Sequence, residues 1–249
     1  MPTVLPLSGR KIIITGAASG IGFAVATRFA AEGASLALLD LQTENLKAFC
    51  DEHRAKAFPV DVSDESAVEK TVAQAAEFLG GIDGVVNAAG VIALGTLANT
   101  TLASWQRQID VNMTGPFLIC RAALPWLQKN EAATIVNISS AQALKPAGAS
   151  AGYAASKAGL LNFSKAMAAE LAPAIRVNAV CPGIVDTPMV KQVNAAAGKP
   201  DATPTLKDYA LGRMAQPEEI AAAVFYLTGN ESSFVTGIAM AVDGGRSFH

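Results

Sequence analysis

The sequence predicts an α/β fold, one doubly wound parallel sheet flanked by helices. Short runs that are apolar almost throughout alternate with segments of helical period along the whole chain. Strands of that kind belong in a sheet covered on both faces. The 249 residues suffice for one buried core, and no internal repeat or low-complexity linker divides them, so 1–249 reads as a single domain.

Taken in order, KIIIT at 11–15 is a strand rich in β-branched residues, followed by a glycine-rich turn and a helix over 21–32. SLALLD at 35–40 is the second strand; a helix near 43–53, a strand within 55–62 and a helix over 64–79 follow. Ser63 is placed to cap that last helix, and Asp64 and Glu65 suit its positive end. A strand at 84–90 precedes a helix-prone stretch over 102–128 that Pro116 and Pro125 should bend or interrupt. The series closes with a strand over 133–139, a helix over 151–171, a strand over 175–180, a helix over 217–227 and a strand over 238–242. One stretch stands apart. Residues 186–212, with Pro188, Gly198, Pro200 and Pro204 and weak periodicity, form an irregular insertion and a candidate lid.

Composition excludes several functions. With 19 basic and 21 acidic residues the net charge is −2, and no basic block supplies the footprint of a nucleic-acid binder. Only two histidines, His53 and His249, are available, too few for a multi-histidine metal site and a poor basis for a Ser/His/Asp triad; no metal is expected. The widely spaced Cys50, Cys120 and Cys181 read as small buried apolar residues in a reducing compartment, the cytoplasm. The N-terminus lacks a secretory pattern, and the longest uncharged stretch, 84–106, is too interrupted by Asn87, Gly90, Gly95, Asn99 and Thr100 to span a membrane.

After the first strand comes Thr15-Gly16-Ala17-Ala18-Ser19-Gly20-Ile21-Gly22. Glycines so spaced let the backbone turn tightly and bring helix N–H groups close to a pyrophosphate. The spacing is G-x-x-x-G-x-G, and no G-K-[ST] makes it a Walker-type loop. Asp40 ends the second strand twenty residues beyond Gly20, where a carboxylate accepts hydrogen bonds from adenosine ribose hydroxyls and repels the 2′-phosphate of NADP. NAD is therefore the expected cofactor, with NADP disfavoured; the alternative is that Asp40 caps the following helix.

A second constellation is Ser139-Ser140 followed by Tyr153-Ala154-Ala155-Ser156-Lys157. Tyrosine and lysine four apart share one helix face, and a nearby positive charge lowers an acid's pKa, so Lys157 is expected to make Tyr153 a usable base near neutral pH.

The segments TGAASGIG, Asp61-Val62, Asn87-Ala88-Ala89-Gly90, Asn112, Ser140, Tyr153-x-x-x-Lys157 and Pro182-Gly183 occur in that order. In these the chain resembles the short-chain dehydrogenase/reductase family, from about residue 9 to 245. The resemblance implies a Rossmann-type domain in which Tyr153 is the general acid/base, Ser140 orients the substrate oxygen, Lys157 lowers the Tyr153 pKa and binds the nicotinamide ribose, and Asn112 holds a proton-relaying water. Ser140 rather than Ser139 matches the family's spacing to the tyrosine, leaving Ser139 as the last residue of its strand. For the cofactor it implies contacts from Gly16, Ser19, Gly20, Ile21 and Gly22, from Asp40 and Leu41, and from Asp61 and Val62 at the adenine. It adds Asn87, Ala88 and Gly90 on the adenosine side, and Pro182, Gly183, Val185 and Thr187 toward the carboxamide. Family members that use NADPH to reduce ketoacyl thioesters often carry a basic residue where this chain has Ser19, which again argues for NAD.

The function so implied is an NAD-dependent interconversion of a secondary alcohol and a ketone. The substrate pocket is expected around Ser140, Gln142, Ala143, Leu144 and Tyr153, around 91–97 and around 188–211, mainly apolar and suited to a neutral or hydrophobic alcohol. One alternative is an NADPH-dependent 3-ketoacyl-thioester reductase whose phosphopantetheine arm meets Lys191, Lys199, Lys207 and Arg213; another is a noncatalytic nucleotide sensor. The resemblance also implies a homotetramer through the helices bearing Asn112 and Tyr153, where Ala154, Ala158, Leu161, Ala166, Ala169 and Ala172 offer small apolar surfaces.

Overall fold

Seven parallel strands, β1 (Lys11–Thr15), β2 (Ser35–Asp40), β3 (Ala55–Pro59), β4 (Gly84–Asn87), β5 (Ala133–Ile138), β6 (Ile175–Pro182) and β7 (Ala239–Val242), form one sheet in a computed structural model. The structure describes residues 5–196, 198 and 206–248. The spatial order is β3-β2-β1-β4-β5-β6-β7. The chain runs outward from β1 through β2 to β3 and then returns to place β4 on the other side of β1. That reversal opens a crevice at the carboxyl ends of β1 and β4, where ligands of such sheets bind.

Alternation along β1 shows how the layers form. Ile12 and Ile14 pack into a core with Val25 and Phe29 of helix α1 (Gly20–Ala31) and with Ile220 and Val224 of α8 (Pro217–Thr228). Ile13 faces the other core, with Val68 and Val72 of α3 (Glu65–Leu79) and Ile119 and Ala123 of α5 (Gly115–Leu127). All three isoleucines are fully buried, and each such side chain contributes about 1.5–3 kcal/mol. The remaining helices are α2 (Lys47–Glu52), α4 (Leu102–Ile109), α6 (Ala151–Leu171) and α7 (Pro188–Ala196).

Most expected elements are present, and the differences have local causes. Asp64, not Ser63, caps α3 by accepting the Ala67 N–H at 2.9 Å, while the Ser63 hydroxyl turns back to Asp61 at 2.6 Å. The stretch 102–128 is interrupted, as Pro116 suggested, by a π-helical turn at Asp110–Thr114 between α4 and α5. Pro125 sits in the last turn of α5 and does not end it. The fifth strand ends at Ile138, one residue before Ser139, although the Ser139 N–H still bonds Val180. The insertion 186–212 is not irregular throughout, for it contains α7. Its flanks are pinned, Asp186 N–H to Ala215 and Leu211 N–H to Gly244. Lys199, Pro200, Pro204 and His249 lie outside the described residues. Cys120 and Cys181 are buried, Cys50 is half-buried, and all three are free thiols. Among the described residues no helix is long and apolar enough to cross a membrane.

Candidate active site

Two cavities meet at the crevice. The first, of about 360 Å3, is lined by Gly16, Ser19, Gly20, Ile21 and Gly22, by Asp40 and Leu41 after β2, by Asp61 and Val62 after β3, and by Ala88 and Gly90 after β4. The second, of about 260 Å3, is lined by Ser140, Gln142, Tyr153, Lys157, Pro182, Gly183 and Val185. Both include Ile21, Ala88, Gly90, Thr187 and Met189, so they form one continuous groove roofed by α7.

The turn after β1 is built for close approach. Gly16 has φ +65°, and a Cβ there would lie 2.6 Å from the Ala89 nitrogen; a Cβ on Gly22 would lie 2.0 Å from the Gly16 oxygen. Ser19 at the N-cap of α1 makes no side-chain cap, and the first turn has no acidic residue. A helix start of that kind attracts an anion through its N–H groups and its dipole. Asp40 does not cap the following helical turn, which Thr43 precedes. Its carboxylate instead accepts the Ala18 N–H at 3.0 Å and the Gln42 N–H at 3.2 Å, which holds it against the glycine turn. Uncapped helix, Cβ-free cradle and adjacent carboxylate fit a nicotinamide dinucleotide, with phosphates on the turn and a ribose at Asp40.

Farther along the groove, Asp61 accepts from the Ser63 N–H at 2.9 Å and hydroxyl at 2.6 Å and pairs with Arg107 at 3.3 Å. Partial burial opposes ionisation there, but these partners outweigh it and hold the Asp61 carboxyl below its ordinary range. Arg107 lines the first cavity too, a residue the sequence reading did not single out.

In the second cavity Tyr153 and Lys157 stand one turn apart on α6, and Ser140 follows β5. The Ser140 side chain lies near enough to the Tyr153 hydroxyl to favour its ionised form. Ser139 is committed elsewhere, its hydroxyl donating to the Lys157 carbonyl at 2.8 Å. The lysine does not depress the tyrosine as expected. The Lys157 ammonium donates to the Ile138 carbonyl at 2.8 Å and stands 5.9 Å from the centre of the Tyr153 ring. Burial pushes the Tyr153 phenol above its usual value, the neighbouring Ser140 only partly offsetting this. Burial also pulls Lys157 down to about 8.

Asn112 lies in the π-helical turn, fully buried. Its Oδ1 accepts the Val91 N–H at 2.8 Å, and its Nδ2 donates to the Val91 carbonyl at 2.8 Å and to Ser156 Oγ at 3.0 Å. The side chain thus braces the loop after β4 against α6.

Asn87 is not brought to the groove. Its side chain points into the core, donating to Asn137 Oδ1 at 2.8 Å and to Cys120 Sγ at 3.3 Å, which leaves only its backbone near the neighbours Ala88 and Gly90. Pro182, Gly183, Val185 and Thr187 do line the second cavity, with the Thr187 hydroxyl on the Val185 carbonyl at 3.3 Å. Gln142 lines it too, its amide oxygen accepting from Ser150. Of the basic residues weighed for a phosphopantetheine arm, Lys191 and Lys207 are exposed, and Arg213 is held by both oxygens of Glu219 at 2.7 Å. The pocket wall also contains Asn194 and Tyr209, from the 188–211 stretch expected to contribute to it, and Arg246, which follows β7 and which no local pattern pointed to. Among the described residues no group of His, Cys, Asp and Glu is placed to hold a metal ion.

Comparison with known proteins agrees with this geometry. The profile of a family described as enoyl-(acyl carrier protein) reductase matches residues 16–247. The chain is 37% identical over 249 residues to 2-(S)-hydroxypropyl-CoM dehydrogenase 3 of Xanthobacter autotrophicus, covering 97% of this chain and 98% of that one. It is also 37% identical to a 3-oxoacyl-(acyl-carrier-protein) reductase of Thermotoga maritima, covering 96% and 98%. The solved structure of levodione reductase superposes with a TM-score of 0.92 at 32% identity, covering 97% of this chain and 99% of that one. With the crevice, the Ser140–Tyr153–Lys157 grouping and these relatives together, the chain belongs to the short-chain dehydrogenase/reductase family of oxidoreductases, whose members bind NAD(H) or NADP(H).

Proposed function

We propose that this protein is an NAD-dependent dehydrogenase that interconverts a secondary alcohol and a ketone, with Tyr153 as the general acid/base. The observation that carries this is the single groove in which a dinucleotide-shaped crevice runs directly into the cavity of Ser140, Tyr153 and Lys157. When bound, the nicotinamide supplies the two-electron acceptor for hydride. Ser140 holds the substrate oxygen beside Tyr153, and Tyr153 takes the hydroxyl proton in oxidation or gives its own in reduction. Lys157, its ammonium 5.9 Å from the centre of the Tyr153 ring, would hold the nicotinamide ribose, and Asn112 would hold the relay water. Proton transfer by a positioned group of this kind is worth ~10²–10⁴-fold.

NAD preference rests on Asp40, held against the turn where a 2′-phosphate would meet its charge, and on Ser19, which offers no cation. A homotetramer through the helices bearing Asn112 and Tyr153 is supported by the exposure of Met113 and Phe117 on that side. The small-residue stripe contributes less than its sequence suggests, since Ala154 and Leu161 are already buried within the chain. Light scattering measures the oligomer. The activity is tested by following NAD and NADP reduction with a panel of cyclic, aromatic, polyol and acidic secondary alcohols. Turnover with NAD supports the reading; activity confined to acetoacetyl thioesters with NADPH, or none with any substrate, overturns it.

A further inference from the structure

Arg246 follows β7 and enters the wall of the catalytic cavity alongside Ser140, Gln142 and Tyr153. It is 9% exposed, yet no described carboxylate forms an ion pair with it. The nearest acidic residue in sequence, Asp243, is fully engaged by its own turn. It accepts the Gly245 N–H at 3.0 Å and the Arg246 N–H at 3.2 Å on one oxygen, and the Ser247 N–H at 2.9 Å and hydroxyl at 2.6 Å on the other. Among the described residues the Arg246 side chain makes one internal bond, from Nη1 to the Lys145 carbonyl at 2.7 Å, and Lys145 Nζ returns a bond to the Arg246 carbonyl at 3.3 Å. That pair anchors the side chain and, among the described residues, leaves its other guanidinium N–H groups uncommitted. A desolvated cation without a counter-charge is costly unless a ligand supplies one, and a guanidinium presents parallel donors that match a carboxylate in bidentate fashion.

We propose that Arg246 recognises a carboxylate on the substrate, so that the alcohol oxidised in this cavity is a hydroxy acid and the product a keto acid. The inference rests on the dehydrogenase reading and narrows its substrate class, replacing the neutral alcohol expected from a mainly apolar lining. The carbinol loses its proton to Tyr153 and its hydride, with two electrons, to NAD; the carboxylate takes no part in the bond changes and serves to orient the chain. A cavity of about 260 Å3 suits a short hydroxy acid. Gln142, whose amide oxygen is held by Ser150, offers its amide nitrogen as a further donor, with no partner among the described residues.

The test uses matched pairs, 3-hydroxybutyrate and 4-hydroxypentanoate against their methyl esters, with the wild-type enzyme, Arg246→Gln and Arg246→Lys. Wild type is expected to favour each acid over its ester by at least tenfold in kcat/KM. Arg246→Gln should cut kcat/KM for the acids about a hundredfold, mainly through KM, while the esters change less than threefold; Arg246→Lys should recover part of the loss. The esters report whether the variant is folded and catalytically intact. Equal use of acids and esters by wild type overturns this proposal and leaves the dehydrogenase reading standing, as does a parallel loss on both in Arg246→Gln. Failure of every acid and ester with NAD and NADP overturns both.

Discussion

The Lys157 ammonium donates to the carbonyl of Ile138, the last residue of β5, at 2.8 Å. The lysine is thereby tied to the strand that leads into Ser140, and the ammonium reaches the tyrosine only across 5.9 Å to its ring. The consequence is a lysine whose charge is held in a buried place, with its pKa pulled from 10.5 to about 8.

This predicts a pH-dependent stability. Below about pH 8 the folded protein bears the cost of a buried charge that the unfolded chain does not. Between about 8 and 10.5 the folded lysine is neutral while the unfolded one still binds a proton, so the folded state gains as pH rises. Relative to Lys157→Met, wild type should gain up to about 3 kcal/mol across that window. Urea melts of both proteins at several pH values measure it, and a pH-independent difference rejects it.

Tyr153 titrates the other way. Burial raises its pKa, so near neutral pH it is held as the phenol, the form that donates a proton to a ketone. Ketone reduction is expected to hold its rate at neutral pH and decline in alkali, and alcohol oxidation to climb with pH as the phenolate forms. Tyr153→Phe should lose ~10²–10⁴-fold in kcat in both directions with cofactor affinity nearly unchanged. Steady-state pH profiles together with cofactor binding by fluorescence report both effects.

At the other end of the groove, Asp40→Asn removes the charge while keeping an acceptor for the Ala18 N–H. The ratio of kcat/KM for NAD over that for NADP should fall at least tenfold, chiefly by improvement with NADP. An unchanged ratio removes Asp40 from cofactor selection.

A methyl group at Gly22 would sit 2.0 Å from the Gly16 oxygen, closer than any packing allows. Gly22→Ala is therefore expected to displace the turn and weaken NAD binding by more than tenfold while circular dichroism still reports the sheet and helices. Titration of intrinsic fluorescence with NAD decides the point.

Asn112→Ala strips Val91 of partners for both its N–H and its carbonyl in a half-buried loop. Each unsatisfied group costs about 1–3 kcal/mol, and at ~2–4 °C per kcal/mol for a chain of this size the Tm should fall by several degrees or more. Differential scanning calorimetry checks it; an unchanged Tm would mean that water satisfies the loop.

Much of the fold was legible because each element is specified locally. The strand KIIIT, the glycines after it and the helix over 151–171 follow from period, β-branching and turn chemistry within a few residues. Asp40 was legible for the same reason, since the end of a strand beside a glycine turn has one neighbour that matters. The cap of α3 was misread because Ser63 and Asp64 both suit the position, and the choice depended on Asp61, which drew Ser63 away. α7 was missed because Pro188 and weak periodicity mask a helix that the edges of the groove support.

The sequence by itself determined the alternation of strands and helices, the glycine turn after β1 and Asp40 beside it, because hydrophobic period and backbone stereochemistry act over short distances, while the other groove residues came from the motifs shared with the family. Only the tertiary structure decided three further matters. Asn87 turns inward because Asn137 on the paired strand offers it a bond. Tyr153 keeps its proton because burial, not the nearby lysine, governs its titration. Arg246, near the end of the chain, enters the cavity of Ser140 because β7 delivers it there alongside β6. Burial and the identity of a partner distant along the chain depend on how the whole sheet closes, and no local pattern carries that information.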